Sequence, residues 1–136
     1  MLPAFASSPG KPIKMVTVDM FRNDTDALAC AAGHVIFRCG EAGDRMYVVL
    51  EGTVRLEIGN EPLETLGPGE VFGEMALIDA APRIATAIAT TDCKVVPVDA
   101  KRFQYLVQNT PFFALQIMRV MADRLREMDR RFLGRD

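Results

Sequence analysis

The chain predicts a mainly β domain with flanking helices: an antiparallel β jelly roll, or double-stranded β-helix, followed by a long C-terminal helix. Three observations carry this. From Val35 onward the apolar residues recur with a period of two; Val54, Leu56 and Ile58 alternate with Thr53, Arg55 and Glu57, as in a strand with one buried face. Chain breakers recur at short intervals, at Gly40, Gly43, Gly52, Gly59-Asn60, Gly67-Pro68-Gly69 and Ala81-Pro82. Many short strands separated by turns in this rhythm suit a sandwich or roll. Beyond Asp99 the apolar spacing changes to three and four, the signature of helix.

Taken in order, the opening MLPAFASSPGKPIK carries three prolines and two serines, and residues 1–24 are assigned to a flexible N-terminal segment. Met15 offers an alternative start, which would make residues 1–14 foreign to the domain. The single domain is assigned to residues 25–136. Thr25 to Ala32, TDALACAA, is expected to form a short helix capped by Thr25 or Asp26 and stopped by Gly33. Tyr47 to Leu50 is a continuous apolar run, and Ala85–Ala89 and Cys93–Val98 are the last strands. Ala100–Val107 is expected as a short helix. Asn109-Thr110-Pro111 then supplies a cap and a proline at the first position of the final helix, residues 111–133. Phe113, Ile117, Val120, Met121, Leu125, Met128 and Phe132 form one stripe along it. Most of that stripe is expected to be core; the stretch Met121 to Phe132 outruns one small barrel and is expected to act as a lid or a dimer seam.

The most informative run is Phe72 to Ala87, FGEMALIDAAPRIATA. A helix opening over Gly73 to Leu77 would leave its first N–H groups unpaired, and such groups attract a phosphate. Gly73 lets the backbone come close to a ligand, and Ala76 keeps the approach narrow. Pro82 biases Ala81 toward an extended conformation, so Arg83 is expected to open a strand returning past the helix. Its guanidinium would then make two parallel bonds to phosphate oxygens. Glu74 would repel a phosphate but would accept from sugar hydroxyls. The residues ask for a phosphorylated sugar.

This segment resembles the phosphate-binding cassette of cyclic nucleotide-binding domains, the sensors of kinase regulatory subunits, cyclic nucleotide-gated channels and catabolite-activator-type regulators. GHVIFRCGEAGDRMYVVLEGTVRLEI (Gly33 to Ile58) is similar to the first strands and glycine turns of that family, and LGPGEVFGE (Leu66 to Glu74) to its entry into the cassette. The resemblance implies that Glu74 holds the ribose 2′-OH, that Arg83 holds the exocyclic phosphate oxygens, and that the backbone of Gly73, Met75 and Ala76 lines both. By the same match Leu56 and Val71 would form one wall of the base pocket, with Arg124 of the last helix stacked over the purine. Ile84 stands where guanine-preferring relatives often carry Thr or Ser, so cyclic AMP is favoured over cyclic GMP. No cofactor is implied beyond the cyclic nucleotide ligand. The family usually has a longer helical segment before the barrel than Thr25–Ala32 provides.

Composition narrows the alternatives. Among 136 residues, 49% are hydrophobic and 25% charged, with a net charge of −2, so nothing global favours nucleic acid. No apolar stretch approaches the roughly 20 residues of a membrane span, and the opening lacks the basic start and apolar core of a signal peptide. Cys30, Cys39 and Cys93 have neither CxxC spacing nor the four ligands of an iron–sulfur cluster; reduced, buried thiols in a cytoplasmic protein are expected. The lone His34 is a weak haem candidate and too little for the His-rich metal site of a cupin enzyme, so catalysis is not expected. The sequence runs two residues past Gly134, with no helix-turn-helix, kinase or channel pore. The expectation is a sensor without an attached output. It would act through an effector protein, through a homodimer along the last helix, or as a fragment of a longer chain. The alternative is a ligand-free interaction module using that same helix.

Overall fold

The computed structural model describes residues 13–132, and the expectations for residues 1–12 and 133–136 lie outside the described residues. Eight strands and four helices follow in the order α1 (Ile13–Phe21), β1 (Leu28–Cys30), β2 (Val35–Phe37), β3 (Arg45–Glu51), β4 (Val54–Ile58), β5 (Glu61–Leu66), β6 (Val71–Phe72), α2 (Met75–Asp79), β7 (Thr86–Ala89), β8 (Cys93–Asp99), α3 (Ala100–Asn109) and α4 (Pro111–Phe132). The strands make two four-stranded antiparallel sheets, ordered β1-β8-β3-β6 and β2-β7-β4-β5. This is the expected roll.

Two cores explain the two hydrophobic patterns. Between the sheets, Val54 and Leu56 of β4 meet Phe37, Val49, Phe72, Ala87 and Val95. One face of β4 is thus buried, which is why its apolar residues alternate. On the far side of the β1-β8-β3-β6 sheet, Met46, Val48, Leu50, Val96 and Val98 pack against Phe21, Leu106, Phe113 and Ile117 from the helices. Strands β3 and β8 are covered on both faces, which accounts for the unbroken apolar run at Tyr47–Leu50.

Two local expectations are corrected. Thr25–Ala32 is not a helix: Leu28–Cys30 pairs with Val95–Cys93 as an edge strand, because the ladder with β8 supplies backbone partners that a two-turn helix could not match. The segment assigned as flexible up to residue 24 contains α1, whose Phe21 is 1% exposed and whose Thr17 hydroxyl donates to Gln116 Oε1 at 2.5 Å. Gln116 Nε2 in turn donates to the Gly69 carbonyl at 2.8 Å, tying α1 and α4 to the turn between β5 and β6. That turn needs glycine: Gly69 has φ +86, and a Cβ there would lie 2.3 Å from the Lys14 carbonyl oxygen. The cassette helix begins at Met75, within the stretch Gly73 to Leu77 where it is expected to open, and ends at Asp79, stopped by Ala80 in the left-handed conformation at φ 51.

Helix α3 opens on the Asp99 side chain, which accepts from the Arg102 backbone N–H at 2.9 Å, and runs to Asn109 rather than Val107. Along α4, Phe113 and Ile117 are buried and Val120 and Met121 pack against the same cluster, whereas Leu125 is 71% exposed. The first half of the predicted stripe packs against that core and Leu125 leaves it; Met128 is half-buried, and the side chain of Phe132 lies outside the described residues. Among the described residues no helix is long and apolar enough to cross a membrane.

Candidate functional site

The turn from β6 into α2 and the stretch before β7 face each other across the mouth of the roll. Arg83 does not open a strand, since β7 starts only at Thr86; it sits in an irregular segment fixed by its own backbone. Its N–H donates to the Glu41 carbonyl and its carbonyl accepts from the Gly40 N–H, both at 2.8 Å. The side chain turns inward and is 7% exposed. Nη1 donates to the Gly73 carbonyl at 3.1 Å, Nη2 to the Arg45 carbonyl at 2.8 Å, and the guanidinium carbon lies 3.9 Å from the centre of the Phe37 ring. Phe37 belongs to an aromatic group with Tyr47 and Phe72. Burial lowers the Arg83 pKa from its ordinary value, with the nearby Tyr47, Asp44 and Glu41 working the other way; an arginine remains charged under such a shift.

Gly73, at φ +83, lets the chain turn under this guanidinium, for a Cβ there would stand 2.8 Å from Nη1. Glu74 follows and is 1% exposed. Its Oε2 accepts from Arg124 Nη1 at 2.5 Å. Its Oε1 and the Nε of Arg83 are the buried side-chain polar atoms with no hydrogen-bond partner among the described residues. An unpaired buried group of this kind costs roughly 1–3 kcal/mol, so each is open to a further polar partner.

The concavity opens to solvent and is lined by Phe37, Leu56, Leu63, Gly73, Glu74, Met75, Ala76, Pro82, Arg83, Ile84, Ala85 and Arg124. Eight of the nine residues selected from sequence therefore surround one space. Val71 is the exception. It is buried in the core on the other side of the sheet and offers only its carbonyl, which accepts from Arg124 Nη2 at 3.0 Å.

Arg124 also departs from the expected pose. Its guanidinium does not lie free above the pocket but bridges Glu74 and Glu64, with Nε donating to Glu64 Oε1 at 3.1 Å. Desolvation works to lower its pKa; Glu74 and Glu64 outweigh this and raise it. The last helix is thereby fastened to the carboxylate at the heart of the pocket.

Several members escaped the sequence reading. Glu64 stands opposite Leu56 in the β4–β5 ladder and so shares its inward face, a placement that needs the register of β5. Gly43 appeared only as a breaker, yet a Cβ there would fall 2.4 Å from Arg83 Nε. Phe37 carried the right alternation for a core residue but no sign that it would lie beneath a guanidinium. His34 lies exposed in the β1–β2 turn. Cys39 is exposed too, against the expectation of three buried thiols.

Two opposed sheets with a buried guanidinium and a buried carboxylate lining one pocket make a β-roll with a polar, charge-bearing concavity at one mouth. The chain belongs to the cyclic nucleotide-binding domain family, whose model matches residues 28–110. It is 35% identical over 99 residues to a CRP-like cAMP-activated global transcriptional regulator of Mycobacterium tuberculosis, covering 69% of this chain and 44% of that protein. Over 83 residues it is 48% identical to a cyclic nucleotide-gated potassium channel of Mesorhizobium japonicum, covering 61% of this chain and 23% of the channel. The crystal structure of the Thermus thermophilus catabolite activator protein superposes with a TM-score of 0.70 at 34% identity, over 84% of this chain and 56% of that one. The chain spans less than half the length of these curated relatives.

Proposed function

We propose that this domain is a regulatory sensor that binds cyclic AMP in the pocket between Glu74 and Arg83 and reports binding through α4. The observation that carries the reading is the pair of unsatisfied buried atoms, an acceptor on Glu74 and a donor on Arg83, in residues lining one pocket. A ribose 2′-OH is the complement of the first, and a cyclic phosphate of the guanidinium. Gly73, Met75 and Ala76 supply the close backbone wall, and Leu56 and Ile84 an apolar seat for the base. Ile84 has no hydroxyl to bond a guanine, which favours adenine.

Signalling follows from Arg124. A ligand whose hydroxyl takes up Glu74 changes the partner of the residue that fastens α4, and shifts the helix only to the extent that the two helix positions bind ligand differently. No catalytic step is needed. Three free thiols suit a cytosolic setting.

A second reading is a ligand-free interaction module. It is favoured by Arg124 occupying the Glu74 carboxylate and by the exposure of Met118 and Leu125 on α4, at 62% and 71%. Isothermal titration of the protein with cyclic AMP, cyclic GMP and 2′-deoxy cyclic AMP decides between them. Sensing predicts micromolar cyclic AMP binding, weaker cyclic GMP, and a loss of about fivefold to a hundredfold for the deoxy analogue, the equivalent of about 1–3 kcal/mol. A folded protein silent toward all three would overturn it in favour of the interaction module.

A further inference from the structure

Outside the pocket, two of the three cysteines meet. Cys30 and Cys93 are directly opposed in the antiparallel ladder of β1 and β8, so their side chains leave the sheet on the same face. Both reach the core between the sheets, where Cys93 is 6% exposed and Cys30 partly buried at the rim. We propose that Cys30 and Cys93 are a reversible disulfide site, closed by thiol–disulfide exchange with a small-molecule disulfide of the oxidised-glutathione class.

Geometry supports this before chemistry does. Opposed residues in an antiparallel pair stand about 4.5 or 5.5 Å apart at Cα, and disulfides form across about 4.4–6.8 Å. Both Cα separations lie within that range, and the Cys30 side chain already stands within hydrogen-bonding reach of the Cys93 thiol. The ends of the pair are also clamped. The Ala32 N–H donates to Asp92 Oδ1 at 2.9 Å and the Gly33 N–H to the Ala89 carbonyl at 2.7 Å, pinning the residues that follow Cys30 to the turn that precedes Cys93. On the other side Gly52 leaves no slack, since a Cβ there would sit 2.7 Å from Cys93 Cβ. Burial first, and then the adjacent Cys30 sulfur within hydrogen-bonding reach, push the Cys93 thiol up to about 11.

The roles differ by access. Cys30, the more exposed of the two, attacks the glutathione disulfide as its thiolate; one sulfur–sulfur bond breaks, one forms, and one glutathione thiolate leaves and takes up a proton. Cys93 then loses its proton and attacks the Cys30 sulfur, expelling the second glutathione as a thiol. Two protein thiols are oxidised and one glutathione disulfide is reduced to two thiols. The buried, proton-holding Cys93 makes the second step the slow one. Tyr47 feels the Cys30 sulfur and stacks on Phe72 at 5.2 Å, in the aromatic group that carries Arg83.

The test uses a Cys39→Ser background, which removes the exposed third thiol. After incubation with oxidised glutathione, acid quench and denaturation, intact mass should show the loss of two hydrogens with no adduct. Both thiols should be lost to alkylation and return with dithiothreitol. Closure should accelerate as pH rises. Adding Cys93→Ser, or Cys93→Ala if the serine fails to fold, should instead trap one glutathione on Cys30. The proposal is overturned if the Cys39→Ser protein keeps both thiols alkylatable, stops at a stable Cys30 adduct, or forms only disulfide-linked dimers.

Discussion

Replacing Arg83 with leucine separates folding from the proposed binding, because the two draw on different partners of the guanidinium. Within the fold its guanidinium bonds two backbone carbonyls, those of Gly73 and Arg45, and covers the Phe37 ring. Leucine keeps part of the ring contact and removes both bonds. Each carbonyl left dry would cost about 1–3 kcal/mol, but the open pocket lets water reach them and the change also relieves the burial of a guanidinium. The expected net loss is about 1–2 kcal/mol, a fall of roughly 5 °C in thermal midpoint. The binding loss should be larger. A phosphate brought against an apolar side chain forfeits a charge-assisted pair and stays desolvated, at about 2–5 kcal/mol, or about thirtyfold to several thousandfold in affinity. Calorimetric titration with cyclic AMP, run beside thermal melts of both proteins, measures the two effects separately. Arg83→Lys should fall between, keeping the charge without the fork. A folded Arg83→Leu protein that binds within about threefold of wild type would refute the assignment of the phosphate to this residue.

Other outcomes follow from the same geometry. Gly43→Ala places a Cβ against Arg83 Nε; overpacking of about 1–3 kcal/mol should displace the guanidinium and weaken cyclic AMP binding tenfold or more, read by the same titration. Arg124→Ala strands the Glu74 carboxylate, which is 1% exposed, and should destabilise the ligand-free protein by about 3 kcal/mol in chemical denaturation. The hydrogen bond from Arg102 holds Asp24 below the usual carboxylate range. With the folded pKa depressed, its stabilisation is complete above about pH 4 and lost as pH falls through the lowered value, so the stability gap between wild type and Arg102→Ala should shrink in acid denaturation curves. Cys93 has the opposite sign. Its folded pKa of about 11 lies above the free thiol's, so stability should be level up to about pH 9 and fall by on the order of 2–3 kcal/mol toward pH 11, a loss absent from Cys93→Ser.

How much of this was legible depends on distance along the chain. Gly73, Glu74, Met75, Ala76, Arg83 and Ile84 lie within one short segment, so their types and spacing could be weighed together, and they do line one space. Leu56 was placed at the pocket by resemblance, while its period-two neighbours told only that it faces inward. Arg124 was placed near the pocket by resemblance, but its partners were not, since Glu64 and Glu74 lie 60 and 50 residues away. The pairing of β1 with β8 was missed for a related reason: TDALACAA has good local helix propensity, and only a distant strand edge overrides it. Helix α1 was hidden behind prolines that precede it, and its anchor is Gln116, 99 residues on from Thr17.

The sequence by itself determined the class of fold, the unbroken apolar run at Tyr47–Leu50 and the residue types of the cassette. Each of these is written in a local period or in residue types a few positions apart. The tertiary structure alone decided which two acids Arg124 holds, which glycines lie against Arg83, why Val71 faces the other core, and that Cys30 meets Cys93. Those are questions of register and of contacts between distant elements, set by how two sheets close over a shared core rather than by any preference of the residues involved.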